Sequence, residues 1–357
     1  MTTFDSELQP SSGNIADRLA EMARRLPSQR AVVEPLGYRA GTRQYATKTF
    51  AELDAEVDAL VRSLRSRGLQ PGQRIVLMVR PGIRFVALTF ALFRAGAVVV
   101  LIDPGMGRTN IFRCLDEIEP DGYVGLPIVQ LIRVWKRRSP AFRSARMNVT
   151  VGRRLPGFGP TYEDLLKPVT NGREAASGHS LPPEAPAAII FTSGSTGPPK
   201  GVLYEHGMFS TQVDLIQRMY EIQPGEVDLP GFPLFGLFNA AMGVTTVIPD
   251  MDPTRPADVD PEKILEAIRD HGVTQVFGSP AFWNQVGRYC EQDGVTLPTI
   301  RRALSAGGPV PNHVLERMSK VLTGPQADLF TPYGATESLP VASIGAKEVL
   351  EIGRAHV

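Results

Sequence analysis

The chain has 357 residues with 38 Lys+Arg against 37 Asp+Glu, a formal net charge of +1, so no global field draws it toward nucleic acid. Hydrophobic residues at 43% and charged residues at 21% match a soluble globular protein, and the length exceeds what one compact core usually takes, so two lobes are expected. Cys114 and Cys290 are the only cysteines, which excludes a disulfide framework or a cysteine-rich zinc site and fits a reducing, cytoplasmic setting.

Residues 1–13 are polar, lack the apolar segment of a signal peptide, and read as a flexible N-terminus. Ile15, Leu19, Met22 and Leu26 recur at helical spacing up to Pro27. Thr49-Phe50-Ala51-Glu52 reads as a capping box that starts a second helix, with Leu53, Val57, Leu60, Val61 and Leu64 on its apolar face and Gly68 as its stop. A β-α-β unit follows, with strands at Arg74–Val79 and Ala97–Ile102 around a helix at Ile83–Arg94. The strands are nearly continuous apolar runs, as in a parallel sheet covered on both faces. The most apolar run, Val98–Ile102, is too short to cross a bilayer, so no transmembrane segment is expected. Gly107–Ile118 is predicted to be helical.

From 133 to 154, Arg133, Lys136, Arg137, Arg138, Arg143, Arg146, Arg153 and Arg154 crowd around Trp135 and Phe142. This composition suits a membrane-surface or partner-docking patch; charge runs are more often a solvated face, here of a connection between lobes. Residues 171–186, rich in Pro, Gly, Ser and Ala, read as a linker. The α/β pattern then resumes, with strands at Ala187–Phe191, Thr245–Ile248, Val273–Phe277 and Arg302–Ser305. Helices are predicted at His206–Tyr220, Pro261–His271, Ala281–Asp293 and Asn312–Leu322. None of the five histidines sits at a metal-ligand spacing, and His206 is expected to be structural.

The strand Ala187–Phe191 runs into Thr192-Ser193-Gly194-Ser195-Thr196-Gly197-Pro198-Pro199-Lys200-Gly201. Glycines let backbone N–H groups approach phosphate oxygens, the hydroxyls add donors, and Lys200 adds a cation, so the loop reads as a polyphosphate nest. It is not a Walker A loop, because Lys200 is followed by glycine rather than Ser or Thr.

This loop resembles the signature loop of the adenylate-forming superfamily, which includes acyl-CoA synthetases, luciferases and peptide-synthetase adenylation domains. Other segments match that family in order: Thr49-Phe50-Ala51-Glu52-Leu53, Phe93–Ala97 leading to Ile102-Asp103-Pro104, Ser305-Ala306-Gly307-Gly308-Pro309, and Tyr333-Gly334-Ala335-Thr336-Glu337. The resemblance implies an α/β fold of two mostly parallel lobes, with ATP and Mg²⁺ as cofactors. It implies that Thr192–Lys200 grips the β- and γ-phosphates, Thr336 touches the α-phosphate and Glu337 ligates Mg²⁺. Gly307, Gly308 and Pro309 would lie against the adenine, with Tyr333 stacking on it and Gly334 beside it. A substrate carboxylate would then attack the α-phosphorus.

In the family, Gly231–Asn239 falls where the acid pocket is lined. A small residue at Gly236 among Phe232, Phe235 and Phe238 is read as a roomy apolar channel for a long alkyl tail, although phenylalanines at this spacing also suit plain core packing. Ile248–Ala257, Glu119-Pro120-Asp121-Gly122 and Phe330–Gly334 resemble the β-lactone synthetases of bacterial long-chain olefin biosynthesis. That resemblance implies a 2-alkyl-3-hydroxy fatty acid as substrate, closing on its own activated carbonyl without CoA. It also implies an α/β-hydrolase-type decarboxylase and a reductase as companions. A fatty acyl-CoA synthetase and a non-catalytic nucleotide-binding module are the alternatives.

The family's ribose-binding Asp, barrel, hinge, and C-terminal lid with the catalytic Lys have no counterpart in these residues, so the resemblance implies a truncated chain with little or no activity of its own. Ile352–Val357 reads as a translated sequencing adapter, and 351–357 is expected to be a non-native tail. The expected division is 14–170 for the first lobe, 171–186 for the linker and 187–350 for the second lobe. Alkyl chain length, oligomeric state and the role of the basic segment are not legible in the residues.

Overall fold

A computed structural model describes residues 13–168, 181–192 and 199–355. In chain order the strands open with β1 (Arg30–Arg39) and β2 (Thr42–Thr49). There follow β3 (Arg74–Met78), β4 (Val98–Ile102), β5 (Gly122–Gly125), β6 (Met147–Thr150), β7 (Pro186–Thr192) and β8 (Lys200–Glu205). The last group is β9 (Val227–Pro230), β10 (Thr245–Val247), β11 (Gln275–Gly278), β12 (Arg302–Ser305), β13 (Asp328–Ala335) and β14 (Ser338–Gly345).

These strands form two sheets, mostly parallel, each in its own compact unit. The first unit comprises residues 1–18, 57–79 and 89–215, and the second 19–56, 80–88 and 216–357. The first unit's sheet has the order β6-β5-β3-β4-β7-β8, parallel except for the β7–β8 edge. The second unit's sheet has the order β14-β13-β12-β11-β9-β10-β1-β2, parallel between antiparallel edges β13–β14 and β1–β2.

The continuous apolar runs of β3 and β4 are buried on both faces, as a central parallel strand requires. Around them Val76, Val100, Tyr123, Phe142 and Phe191 form the first unit's core, where the Tyr123 hydroxyl donates to the Ala141 carbonyl at 2.6 Å. In the second unit Leu229, Val276, Ala303 and Leu329 lie beneath Phe282 and Trp283, whose indole Nε1 donates to the Leu304 carbonyl at 2.9 Å. A buried indole N–H must be satisfied, and this bond fixes the helix Pro280–Asp293 against β12.

The local signals hold. Thr49 N donates to the Glu52 carboxylate at 2.8 Å and Glu52 N to Thr49 Oγ1 at 3.2 Å, the reciprocal capping box at the start of Phe50–Ser66. Such a cap contributes about 1 kcal/mol. His206 opens the helix His206–Met219 and is buried; its Nδ1 accepts from Ile15 N at 3.4 Å, and burial pushes its pKa down to about 4, so it sits there neutral.

The expected division into 14–170 and 187–350 is corrected. The hairpin β1–β2 belongs to the second unit's sheet, where Val32 and Val33 pair in parallel with Thr246 and Val247 of β10. Strands β7 and β8 belong to the first unit, where Val99 to Ile102 pair with Ala188 to Phe191. Each sheet is completed by strands distant in sequence, so no single linker separates the units. The basic segment is corrected likewise: it lies inside the first unit, spanning the end of the helix Pro127–Trp135, the turn Pro140–Arg143 and β6, and connects no lobes. Of the expected linker, residues 171–180 lie outside the described residues, and Pro186 already belongs to β7.

Candidate functional site

Two loop systems carry the residues that the sequence singled out, one in each unit. In the first, β7 and β8 form a hairpin whose last register pair is Thr192 with Lys200. Because β7 runs parallel to β4, this hairpin end leaves the sheet at the carboxyl side of the parallel strands, where open α/β sheets place ligands. Ser193, Gly194, Ser195, Thr196 and Gly197 lie outside the described residues. The hairpin is anchored by Ala187, Ala188 and Phe191, all buried, while the Lys200 side chain is exposed at its mouth. Among the described residues Lys200 has no ion pair, so a cation held on a buried anchor and open to solvent is placed to meet an incoming anion.

In the second unit, β12 ends at Ser305 and leads into Ala306-Gly307-Gly308-Pro309. Gly307 has φ +90°, a conformation that favours glycine, and a Cβ built on Gly307 or Gly308 would meet none of the described residues within 4 Å. Among the described residues the turn is therefore a bare backbone surface on the side where side chains would stand. At its root Ser305 Oγ is buried with no hydrogen-bond partner among the described residues.

Next to it, β13 pairs in parallel with β12 from Arg302 opposite Asp328 to Leu304 opposite Phe330, and then runs on beyond the end of β12. The extension carries Tyr333, whose side chain is 73% exposed, and closes on β14 through a two-residue tip, Thr336-Glu337, between Ala335 and Ser338. Neighbouring strands of one sheet thus place the Gly307-Gly308 turn and the Tyr333–Glu337 hairpin at the same carboxyl end. Exposed Tyr333 offers an aromatic face, and the bare turn suits a flat ring.

The residues fit magnesium in a particular way. Among the described residues no group of three or more His, Cys, Asp or Glu could hold a metal ion. Glu337 is an exposed single carboxylate at the hairpin tip, which would suit a hard cation that keeps waters and takes most of its other ligands from phosphates.

The segment expected to line the acid pocket forms a helix, Pro233–Met242, following β9. Phe235 stacks on Phe277 at the end of β11 with ring centroids 4.0 Å apart, and Phe232, 36% exposed, lies 5.8 Å from Phe235. Phe238 is half-buried. Gly236 does not open a channel, which corrects the reading of its small size. It is buried against the sheet, where a Cβ would stand 3.1 Å from Pro230 Cγ and 3.3 Å from Thr246 Cγ2. Its small size lets the helix seat closely on β9 and β10.

That seat is polar at one point, and spacing gave no sign of it. Asn239 Nδ2 donates to Asp228 Oδ2 at 2.7 Å and to Thr246 Oγ1 at 3.1 Å, and Thr246 Oγ1 donates to the Gly236 carbonyl at 3.3 Å. Asp228, Asn239 and Thr246 are all buried. Burial pushes the Asp228 carboxyl up to about 7, against the lowering effect of its hydrogen bonds with Asn239 and Gln275.

Comparison with known proteins supplies the context for these loops. The family model described as AMP-binding enzyme matches residues 19–356. The chain is 47% identical over 336 residues to an olefin beta-lactone synthetase of Xanthomonas campestris, covering 93% of this chain and 58% of that protein. It is 44% identical to an olefin beta-lactone synthetase of Stenotrophomonas maltophilia, covering 94% of this chain and 60% of that protein. Identity to a long-chain-fatty-acid–CoA ligase of Thermus thermophilus is 26%, over 96% of this chain and 60% of that protein. The chain thus spans about 58–60% of the length of these relatives. Among solved structures, a long-chain-fatty-acid–CoA ligase from Archaeoglobus fulgidus superposes with a TM-score of 0.79 at 19% identity, covering 96% of this chain and 68% of that one, a likeness of fold.

Proposed function

This chain belongs to the AMP-binding enzyme family, and on that premise we propose that the protein it represents activates a long-chain 2-alkyl-3-hydroxy fatty acid with ATP and closes it to a β-lactone. One observation carries the choice of product: identity of 47% and 44% to two olefin beta-lactone synthetases, against 26% to a long-chain-fatty-acid–CoA ligase over a similar share of the chain.

The chemistry asks little of the protein beyond charge and position. The acid's carboxylate attacks the α-phosphorus of ATP, the bond from that phosphorus to the bridging oxygen breaks, and pyrophosphate leaves. Both reactants are anions, so preorganised donors and cations lower the barrier. In this reading the Thr192–Lys200 loop holds the departing phosphates and Thr336 the α-phosphate. Glu337 would hold Mg²⁺, which would supply charge neutralisation when bound. Gly307, Gly308 and Pro309 receive the adenine, with Tyr333 against its face and Gly334 beside it. The 3-hydroxyl then attacks the acyl carbonyl and loses its proton, and AMP leaves. Because the nucleophile is already attached, it acts at a high effective concentration and no CoA is consumed.

Phe232, Phe235 and Phe238 supply apolar surface for the alkyl tail, with Gly236 as the seat of their helix. The 357 residues alone are read as the nucleotide-binding portion, binding ATP but releasing little pyrophosphate. The whole protein is read as cytoplasmic and working beside an α/β-hydrolase-type decarboxylase and a reductase. Among the described residues no helix is long and apolar enough to cross a membrane.

The deciding assay supplies the whole gene product with a 2-alkyl-3-hydroxy acid, ATP and Mg²⁺ but no CoA. Lactone and AMP in equal amounts are expected. Absence of lactone, together with a CoA-dependent thioester, would establish a fatty acyl-CoA synthetase instead. ATP binding without AMP formation from either acid would leave a nucleotide-binding module.

A further inference from the structure

The helix Pro127–Trp135 of the first unit faces the wrong way for a helix of a soluble core. Its buried polar residue is Gln130, whose Nε2 donates to the Val149 carbonyl at 2.9 Å and ties the helix to β6. Its outward face carries Ile128 at 56% exposure, Leu131 at 45%, Val134 at 42% and Trp135 at 81%. At 3.6 residues per turn these four occupy one continuous arc, while Val129 and Ile132 pack inward on the core.

The segment that carries this stripe has charge of one sign in its own sequence. From Gly122 to Tyr162 the sequence holds eight Lys and Arg and no Asp or Glu. Arg143 and Arg154 are drawn off to ion pairs with Glu119 and Asp164. Lys136, Arg137 and Arg138 continue directly from the apolar helix end; Arg137 and Arg138 are exposed, and the Lys136 ammonium stands 3.9 Å above the Phe112 ring.

We propose that the Ile128–Trp135 face and the Lys136–Arg138 cations form a docking surface for an anionic lipid bilayer, into whose interface the four apolar side chains insert. An apolar stripe that ends in Trp and runs directly into three consecutive cations suits the boundary between headgroups and acyl chains. Trp stands there with its ring half in each medium, and the cations meet a uniformly negative plane. A protein partner is recognised instead by paired charges of both signs at fixed positions, and the segment from Gly122 to Tyr162 carries no acid of its own to pair. The proposal concerns a surface of the first unit and stands independently of the ligase chemistry.

The chain carries its own probe. It has two tryptophans, and Trp283 is fully buried, so a change in emission on adding vesicles reports Trp135. The 357-residue chain is mixed with vesicles of equal parts phosphatidylcholine and phosphatidylglycerol, and with vesicles of phosphatidylcholine alone. A blue shift and co-sedimentation are expected with the anionic vesicles, both weakened by salt. Arg137→Glu/Arg138→Glu and, separately, Ile128→Gln/Leu131→Gln should each lower the partition coefficient about tenfold or more, with thermal melts unchanged because all four side chains are exposed.

No shift or sedimentation with anionic vesicles overturns the proposal, as does binding that neither pair of substitutions weakens. Concentration-dependent self-association without lipid, abolished by the apolar pair, would assign the face to a second copy. Capture of an acidic protein in preference to vesicles would assign it to a protein partner.

Discussion

Asn239, on the helix Pro233–Met242, donates a 2.7 Å hydrogen bond to the carboxylate of Asp228 on the adjoining strand β9, with both residues about 1% exposed. The bond fixes the helix that carries Phe232, Phe235 and Phe238. It also makes the seat of that helix sensitive to the protonation of one carboxyl group.

The sign of that sensitivity follows from burial. The Asp228 carboxyl is raised from 3.8 to about 7 in the folded chain, so the folded state keeps a proton that the unfolded state gives up over that interval. Its contribution to stability is complete at the acid end and is lost as pH rises toward 7, with a slope of at most about 1.4 kcal/mol per pH unit. Asp228→Asn stays neutral throughout. Urea denaturation at pH 5 and pH 8 should show the stability of Asp228→Asn relative to the unsubstituted chain rising with pH. An equal difference at both pH values would contradict a buried, proton-holding Asp228.

Gly236 sets the closeness of the same helix. A Cβ there meets Pro230 Cγ at 3.1 Å, a contact that a neighbour can relieve by a few tenths of an ångström. Gly236→Ala should be close to neutral, since roughly 1 kcal/mol of helix propensity offsets the tight contact. Gly236→Leu has no such room and should cost about 1–3 kcal/mol in denaturant unfolding. Full stability of the Leu variant would restore the open-channel reading of this position.

Lys200 is exposed at the mouth of the β7–β8 hairpin, so its removal should spare the fold and weaken nucleotide binding. A charge-assisted hydrogen bond contributes about 1.5–3 kcal/mol, so Lys200→Ala should lower ATP affinity about tenfold or more in calorimetric titration. Unchanged affinity would remove Lys200 from the phosphate site.

Glu337 at the β13–β14 tip is read as a magnesium ligand, and magnesium dependence is its signature. Glu337→Gln should bind ATP more weakly than the unsubstituted chain when Mg²⁺ is present, and the difference should close in EDTA. A difference that persists in EDTA would show that Glu337 acts on the nucleotide by another route.

Much of the secondary structure was legible from short spans. The capping box at Thr49–Glu52, the strand Arg302–Ser305 and the helix Pro261–His271 lie where periodicity and caps put them, because each signal depends on neighbours within one or two turns. The hairpins β1–β2 and β13–β14 were not recognised. Their strands alternate weakly, and much of β13 and β14 runs at the surface without a dense apolar face.

The glycines, hydroxyls and charges at Thr192–Lys200, Gly307-Gly308 and Thr336-Glu337 were legible in the sequence alone, because they are properties of the residues themselves, whereas the hairpin that presents Thr336-Glu337 was not. Tertiary structure decided which strands share a sheet, since β7 joins β4 and β1 joins β10 across long stretches of chain. It also decided which way the helices face. Gly236 turns out to be a packing contact, and Gln130 points inward while Trp135 points out. The physical reason is the same in each case: spacing shows which residues share a face, and only the packed neighbours determine whether that face is buried.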